Sequence, residues 1–402
     1  MDEISASLQK PDITAEMIRA ARTALEQPIG MAEGLPGLFY GDAFYQIERR
    51  KLFPSTWCAV TVGSAIPNPG DVQPIDLAGW PIFVLRTRDG DIRAFHNICR
   101  HRAMRLVRER CSVANRIVCP WHAWTYDLTG KLLGMPEIGG AGVHAAAGLE
   151  RAELGLVPIA VGRWLDYVFV NLDGKAAPFA QHIAPLIREV ADLNLDGLRH
   201  GARLEDGYPG NWKLATEGGI EDYHLPFGHP QLNAHLYRNT KPLCAPGVYA
   251  GGAVSVGGAV HESGAPPEED SRPWNARLPM LNRRDGGSIS DLYVFNVFPT
   301  GTILIAADHV MLGVVLPDGP CRTRVDLHLY FDGGAADSAT LDAARQETLA
   351  MWREVVQQDV PFVEGTQATL ESRDAAGIRT RFSPYWEDSV LRFQHMVLTA
   401  IA

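Results

Sequence analysis

The spacing of hydrophobic and polar positions changes along this 402-residue chain. Apolar residues recur at helical spacing from Ile13 to Leu25, and Thr14 is a candidate N-cap. A second short helix is predicted from Asp42 to Phe53. The chain therefore begins with a helical segment, which we place at residues 1–45.

Short apolar runs alternate with turn signals between Trp57 and Val170. WCAVTVG, WPIFVLRT and IRAF are separated by PNPGD and RDGD, and TYDLTGKLLG and WLDYVFVNL complete the series. Such runs, bounded by Gly, Pro and Asp, are typical of antiparallel strands joined by tight turns. This stretch predicts a compact antiparallel β module.

The pattern is mixed after Asn171. FAQHIAPLIREVADL is helical, whereas NWKLATEGGIEDYHLPFGHP is expected to begin as a strand and to become helical near Thr216. Residues 239–291 are rich in Gly, Pro and charge, which predicts loops. Apolar strands then precede a long helix predicted from Ser338 to Phe362. Strands wrapped round a long helix indicate an α+β fold, with a helix-grip domain following the β module.

Composition narrows the classes of protein. The net charge of −10 argues against a nucleic-acid partner, and no segment has the roughly 20 continuous apolar residues of a membrane helix. The polar, acidic N-terminus does not resemble a secretory signal. Six cysteines are too few for a disulfide scaffold. We expect a cytoplasmic protein in which a local cysteine cluster indicates metal or redox chemistry.

Such a cluster consists of Cys99, His101, Cys119 and His122. Zinc accepts two Cys and two His, but its usual spacing pairs Cys with Cys and His with His. Here each loop is mixed, which suits a binuclear cluster with both cysteines on one iron and both histidines on the other. Cys111 lies outside both loops.

A second group begins with His224 and His229. Two histidines and one carboxylate form the common Fe(II) site for O₂ activation, although isolated histidines at this spacing are more often structural. The third ligand must come from elsewhere in the chain. Its candidates are Asp359, Glu354, Glu364, Asp308 and Asp326.

The motifs CRHRAM and CPWHAWTYDLTGKL resemble the Rieske [2Fe–2S] module of ring-hydroxylating oxygenase large (alpha) subunits. The pattern NWK…E…YH…HP is similar to the iron-binding segment of the same family. The resemblance covers about Phe44 to His395. It implies a Rieske domain at 46–165, a catalytic mononuclear non-haem iron domain at 166–402, and an N-terminal segment that packs on the catalytic domain.

The resemblance also implies roles for individual residues. Asp359 becomes the third iron ligand, and Glu221 bridges His224 to a cluster histidine of a neighbouring subunit, with Asp222 as its rival. Two features depart from the family. Ala103 and Ala123 stand where Gly is common, and the pair Gly218–Gly219 begins where Asn is usual.

The implied activity is that of a terminal oxygenase component, a mono- or dioxygenase that takes NAD(P)H electrons from a separate reductase, with or without a ferredoxin. Electrons pass between subunits of a homotrimer or a multiple of it. The sequence has no nucleotide-binding GxGxxG of its own. The expected substrate is a small organic molecule, by preference aromatic. Oxidation of a betaine, choline or carnitine is the alternative, to which Glu221 points, and a Rieske electron carrier without a working iron site is a second.

Aromatic residues suited to an arene pocket or an ammonium cage are Tyr293, Phe295, Phe298, Tyr385 and Trp386. A substrate carboxylate could meet an arginine of the long loop, namely Arg272, Arg277, Arg283 or Arg284.

Overall fold

The computed structural model describes residues 12–233, 240–255, 278–289 and 291–402. Its helices are α1 (Ala15–Leu25), α2 (Asp42–Ser55), α3 (Phe179–Glu189), α4 (Trp212–Gly218), α5 (Leu225–Gly228), α6 (Pro230–Asn233), α7 (Gly333–Ala336), α8 (Asp342–Ala375) and α9 (Asp388–Ala400).

The strands fall into an N-terminal and a C-terminal series. The first is β1 (Cys58–Val62), β2 (Asp71–Leu77), β3 (Trp80–Arg86), β4 (Ile92–His96), β5 (Cys111–Ser112), β6 (Arg116–Val118), β7 (Thr125–Asp127), β8 (Leu132–Gly134), β9 (Pro158–Trp164) and β10 (Tyr167–Asn171). The second is β11 (Leu198–Tyr208), β12 (Thr240–Ala245), β13 (Tyr249–Ser255), β14 (Asp291–Val297), β15 (Gly301–Ile305), β16 (Val310–Pro317) and β17 (Thr323–Asp332).

The N-terminal strands form an antiparallel module, as predicted. One sheet has the order β1-β10-β9-β4-β3-β2-β5, and β6-β7-β8 form a small second sheet. A separate apolar cluster, which includes Cys99, Cys119, Trp124 and Tyr126, fills the end of the module where the two cysteine loops lie. The ligand loops are therefore supported by a core of their own.

The C-terminal strands form one antiparallel sheet of order β11-β17-β16-β15-β14-β13-β12, in which consecutive strands from β12 to β17 are neighbours. Burial alternates in the first half of β17, where Val325 and Leu327 face a cavity that is also lined by residues of α8. This arrangement of a sheet and a long helix is the α+β helix-grip fold expected from the sequence.

The two modules share a continuous core. The Tyr167 hydroxyl donates to the carbonyl of Gly313 at 3.0 Å, and Thr300 Oγ1 donates to the carbonyl of Ala59 at 2.7 Å. At the other end, α1 packs on α9, where Arg22 donates to the carbonyl of Leu398. The domain boundaries at residues 45 and 165 stay a prediction, and the first sheet continues past the second boundary as β10.

Three sequence expectations about elements are wrong. NWKLAT is helix α4 rather than a strand, because Asn211 caps it by accepting from the Lys213 amide at 3.0 Å. The stretch expected to be loops contains β12 and β13. There Gly251 allows close backbone approach, since a Cβ atom would lie 2.0 Å from the carbonyl oxygen of Val294.

The third wrong expectation is the end of the long helix. Helix α8 continues past Phe362 to Ala375, with Pro361 inside it. Within the described residues, none of the helices combines the length and hydropathy needed to cross a membrane.

Candidate metal centres and active site

The two cysteine loops have the same backbone construction. Each cysteine carbonyl accepts from the amide of an alanine four residues later, namely Ala103 at 3.1 Å and Ala123 at 3.0 Å. Both alanines adopt a left-handed conformation, with φ of 57° and 53°. Only glycine takes this conformation without a steric cost, which explains why Gly is common there and why a small residue is retained.

The two loops bring their histidines together as one pair and their cysteines as another. The rings of His101 and His122 are 4.5 Å apart, and the Nδ1 atom of each is buried without a hydrogen-bond partner. Cys99 and Cys119 are almost fully buried. Buried polar atoms rarely lack partners, so paired orphaned nitrogens beside two thiols fit an iron–sulfur cluster.

Neighbouring groups hold this cradle in place. Trp124 stacks on His101 with 5.0 Å between ring centroids, and the Tyr126 hydroxyl lies 3.4 Å from Cys99 Sγ. Burial raises the pKa of the Cys99 thiol, so that its thiolate form requires the positive charge of bound iron. Cys111 is exposed and lies on β5, outside both loops.

His224, His229 and Asp359 form the second convergence of metal-binding atoms, all within 4.8 Å of one another. The Nε2 atoms of the two histidines are 3.2 Å apart, and Asp359 Oδ1 lies 3.0 Å from His229 Nε2 and 3.6 Å from His224 Nε2. His224 precedes α5 and His229 follows it, while Asp359 comes from α8. Two imidazoles and one carboxylate that occupy one face of a metal position, with the other face open, are the ligand set typical of mononuclear Fe(II).

A hydrogen-bond acceptor contacts the Nδ1 atom of each imidazole, on the side away from the metal position. His224 Nδ1 contacts Glu221 Oε1, and His229 Nδ1 lies 2.7 Å from Gln358 Oε1. Each acceptor fixes the proton on Nδ1 and leaves Nε2 as a free lone pair directed at the metal position. Gln358 was not identified from the sequence, although its place beside Asp359 on one helix was a possible signal.

The rival carboxylates lie elsewhere. Asp308 contacts His309, and Asp326 pairs with Arg203 and lies beside His328. Glu354 accepts from Gln358 at 3.3 Å, and Glu364 is exposed. Asp222 also lines the cavity beside the metal position, but the hydrogen-bond contact with His224 is made by Glu221.

A cavity opens directly from the three metal-binding side chains and has a volume of ≈130 Å³. The part of its wall formed by described residues is mainly aliphatic, with Tyr208 and Trp352 as the aromatic members. Burial raises the pKa of Tyr208, and Asp359 adds to the effect, so that the phenol stays protonated. The aliphatic lining residues are Leu225, Leu232, Leu292, Val294, Leu304, Val315, Val325, Leu327, Val355 and Val356.

Gly218 and Gly219 line the same cavity. A Cβ atom on Gly218 would meet no atom of the described residues within 4 Å, so this glycine borders open space rather than a tight contact with them.

None of the five aromatic residues named from the sequence as pocket candidates lines this cavity. Tyr293, Phe295 and Phe298 belong to the core, and Tyr385 and Trp386 lie in a separate small cleft that shares Asp222 and Val294 with the cavity. Arg283 pairs with Asp192 and Arg284 with Asp196 at the surface. Arg272 and Arg277 lie outside the described residues.

Comparison with known proteins agrees with both centres. The family model for the Rieske [2Fe–2S] domain matches residues 56–145, and that for the ring hydroxylating alpha subunit catalytic domain matches residues 189–402. The chain is 28% identical over 385 residues to the glycine betaine monooxygenase oxygenase subunit of Chromohalobacter salexigens, covering 88% of this chain and 84% of the relative. It is 32% identical over 192 residues to the large oxygenase component of Ralstonia salicylate 5-hydroxylase, covering 46% and 45% of the two chains.

Solved structures show the same fold. A quaternary ammonium Rieske monooxygenase in complex with L-carnitine gives a TM-score of 0.74 at 20% identity, covering 98% of this chain and all of the other. Naphthalene 1,2-dioxygenase from Rhodococcus bound to indole also gives 0.74, at 19% identity and with 96% and 98% covered. The chain thus belongs to the Rieske oxygenases, as an oxygenase (alpha) subunit with a Rieske [2Fe–2S] cluster and a mononuclear iron.

Proposed function

We propose that this protein is a terminal oxygenase component that hydroxylates a small, uncharged aromatic substrate with one ring. The observation that carries the proposal is the aliphatic cavity beside His224, His229 and Asp359. A cavity of roughly 150 Å³ with apolar walls is known to hold one benzene molecule. The volume of ≈130 Å³ is therefore suited to a single ring, and the open space at Gly218 leaves room for a substituent.

The charges around the cavity argue against an anionic substrate. Its described lining residues include the carboxylates of Glu221, Asp222 and Asp359 and no Lys or Arg. Apart from the iron, which its own ligands and O₂ would occupy, the described lining offers a substrate carboxylate no cationic partner, so its transfer into this cavity is costly. A neutral arene avoids that cost and gains about 25 cal/mol per Å² of apolar surface removed from water.

The bound iron supplies O₂ activation, using electrons that arrive from the Rieske cluster. The residues of this chain have the supporting tasks. Glu221 and Gln358 orient His224 and His229, and His229 is fully buried. The aliphatic wall excludes water from the substrate position, which limits unproductive reaction of reduced oxygen.

The proposed partners are a separate NAD(P)H-dependent reductase, with or without a ferredoxin, and further copies of this chain in a homotrimer or a multiple of it. Exposed aromatic side chains near the iron site support a subunit contact there. Tyr223, Phe227 and Phe362 are 48%, 79% and 49% exposed near His224, an unusual cluster for a free surface. At the cluster end, Trp121 is 50% exposed with Arg102 over its ring at 4.3 Å. Glu221 is then the bridge to a cluster histidine of the next subunit.

The test is a substrate comparison with the holoenzyme and a reductase system. The panel contains a neutral one-ring arene, the same arene with a carboxylate, a trimethylammonium compound and its analogue with carbon in place of nitrogen. Anaerobic dissociation constants and product formed per O₂ consumed are measured for each. We expect tight binding and coupled turnover with the neutral arene only, and coupled turnover with the trimethylammonium compound alone would overturn the proposal.

A quaternary ammonium substrate is the second candidate. The acidic cavity rim and the similarity to glycine betaine monooxygenase favour it. Against it, an ammonium cage needs several aromatic faces, and the described lining offers Tyr208 and Trp352. In the same panel this candidate predicts that the carbon analogue binds far more weakly than the cation. A neutral apolar site would instead bind the carbon analogue more tightly than the cation.

A further inference from the structure

A buried hydrogen-bond chain reaches the substrate cavity from outside the metal sites. Trp352 Nε1 donates to His309 Nε2 at 2.9 Å, and His309 Nδ1 lies 2.7 Å from Asp308 Oδ1. His309 is fully buried, and Asp308 and Trp352 are 3% and 5% exposed. Three polar groups are thus linked in a region without bulk water.

The direction of this chain follows from its chemistry. An indole N–H can only donate, so His309 Nε2 must be the acceptor and carry no proton. The single proton of the neutral imidazole then lies on Nδ1 and is donated to Asp308. The carboxylate therefore fixes the tautomer that the indole requires, and the indole plane is held in one orientation.

The chain connects two elements that form opposite sides of the active site. Asp308 and His309 lie in the turn between β15 and β16, which is closed by a hydrogen bond of 2.9 Å from the Ala306 amide to the His309 carbonyl. Trp352 lies on α8, seven residues before Asp359, so that the two share one face of the helix. Trp352 also lines the substrate cavity.

We propose that Asp308 and His309 are positioning residues that fix the indole of Trp352, and that this fixed indole limits the size of substrate that the cavity accepts. The size limit rests on the proposed use of this cavity for substrate. The hydrogen-bond chain itself does not depend on which substrate is used.

The test uses three variants of the holoenzyme. His309→Phe removes the acceptor and keeps a ring, His309→Gln offers an amide acceptor in its place, and Trp352→Phe removes the donor. His328→Phe is the matched control, because His328 is also buried but points to the opposite face from the cavity-lining Leu327 on β17. Each protein must first show the Rieske spectrum and about three iron atoms per chain.

The first measurement is the ratio of anaerobic dissociation constants for a one-ring arene and its tert-butyl derivative. We expect His309→Phe to reduce this size discrimination at least about fivefold, His309→Gln to restore most of it, and the control to leave it unchanged. In the Trp352→Phe background, His309→Phe should have no further effect. Independent, additive effects of the two substitutions, or unchanged discrimination in His309→Phe, would overturn the proposal.

Two measurements test the hydrogen-bond chain even if the proposed arene hydroxylation is wrong. If the holoenzyme binds quaternary ammonium compounds and no arene, the same ratio is measured for trimethyl and triethyl homologues. The thermal unfolding midpoints of the single and double variants need no ligand at all. If the hydrogen-bond chain is intact in the native protein, the losses of thermal stability caused by His309→Phe and Trp352→Phe should not add in the double variant. Full additivity would contradict the proposal.

Discussion

At the scale of single residues, the iron site depends on a carboxylate that the chain supplies from a distant helix. Asp359 Oδ1 lies 3.0 Å from His229 Nε2, and its side chain is 20% exposed. Replacement by Ala should remove the mononuclear iron and leave the Rieske spectrum intact, because two imidazoles alone hold Fe(II) weakly.

Iron analysis checks this directly. The content should fall from about three to about two atoms per chain. Glu364→Ala is the matched control, since Glu364 is an exposed acidic residue on the same helix, and it should retain all the iron. Full iron content in Asp359→Ala would assign the third ligand to another residue.

A second residue, Glu217, makes stability depend on pH. Burial raises the pKa of its carboxyl to about 7, against hydrogen bonds from Gln394 at 3.0 Å and Tyr40 at 2.8 Å and the nearby charge of Lys213. In the unfolded chain the group titrates near 4.5. Between these two pH values the folded protein holds a proton that the unfolded chain has released, so this contribution to stability is lost as pH rises.

Glu217→Gln removes this titration and keeps an acceptor oxygen for both donors. The difference between the unfolding midpoints of Glu217→Gln and the native protein should shift in favour of the variant by about 2–4 °C from about pH 5 to about pH 8. Calorimetry across this range is the measurement, with the exposed Glu153→Gln as control. A constant difference between variant and native protein over the range would contradict the assignment.

Three residues named from the sequence, His224, His229 and Asp359, lie together in the structure, and the choice of Asp359 among the carboxylates came from the family resemblance. Spacing carries that information for His224 and His229, because a short helix between them brings both rings to one side. Gln358 and the pair His309–Trp352 could not be predicted in the same way. Their roles depend on how α8 lies against the sheet, which no local pattern encodes.

At the scale of elements, a buried ion pair joins α4 to α2. Lys213 Nζ donates to Glu48 Oε1 at 2.6 Å, both side chains are fully buried, and Trp212 Nε1 donates to Glu48 Oε2 at 3.2 Å. Burial lowers the pKa of Lys213 and raises that of Glu48, while each partner's charge opposes the shift of the other. The pair anchors the segment that leads to Glu221 and His224.

Lys213→Met should therefore destabilise the protein strongly, by about 3–5 kcal/mol, since it leaves the Glu48 carboxylate buried and unpaired. Thermal unfolding of this variant is compared with Lys131→Met, which alters an exposed lysine and should have little effect. Equal midpoints for the two variants would show that the buried pair contributes no net stability.

The same segment illustrates why elements were predicted unevenly. NWKLAT was expected to be a strand, but the Asn211 cap and the Lys213 pair with α2 favour a helix. Strands β14 to β17 were identified because apolar and β-branched residues dominate each of them. The glycine-rich β13 was not, because its stability comes from close packing on β14 rather than from side-chain pattern.

At the scale of the whole molecule, the proposed electron path runs between copies of the chain. A variant without the cluster, such as Cys99→Ala, and a variant without the iron, Asp359→Ala, should each be inactive alone. When co-expressed with different tags and purified as mixed oligomers, they should regain turnover, because an intact cluster in one subunit then faces an intact iron site in the next. Mixed oligomers that contain both variants and stay inactive would rule out transfer between subunits.

The proposed hydroxylation of a neutral arene is tested by tracing the oxygen atom of the product to O₂. The reconstituted enzyme is supplied with isotopically labelled O₂ and a neutral one-ring arene, and the product is examined by mass spectrometry. We predict a hydroxylated arene that carries the label, formed by the native protein and not by Asp359→Ala. Consumption of O₂ and reductant without labelled arene product, while a trimethylammonium compound is oxidised with label incorporation, would contradict it.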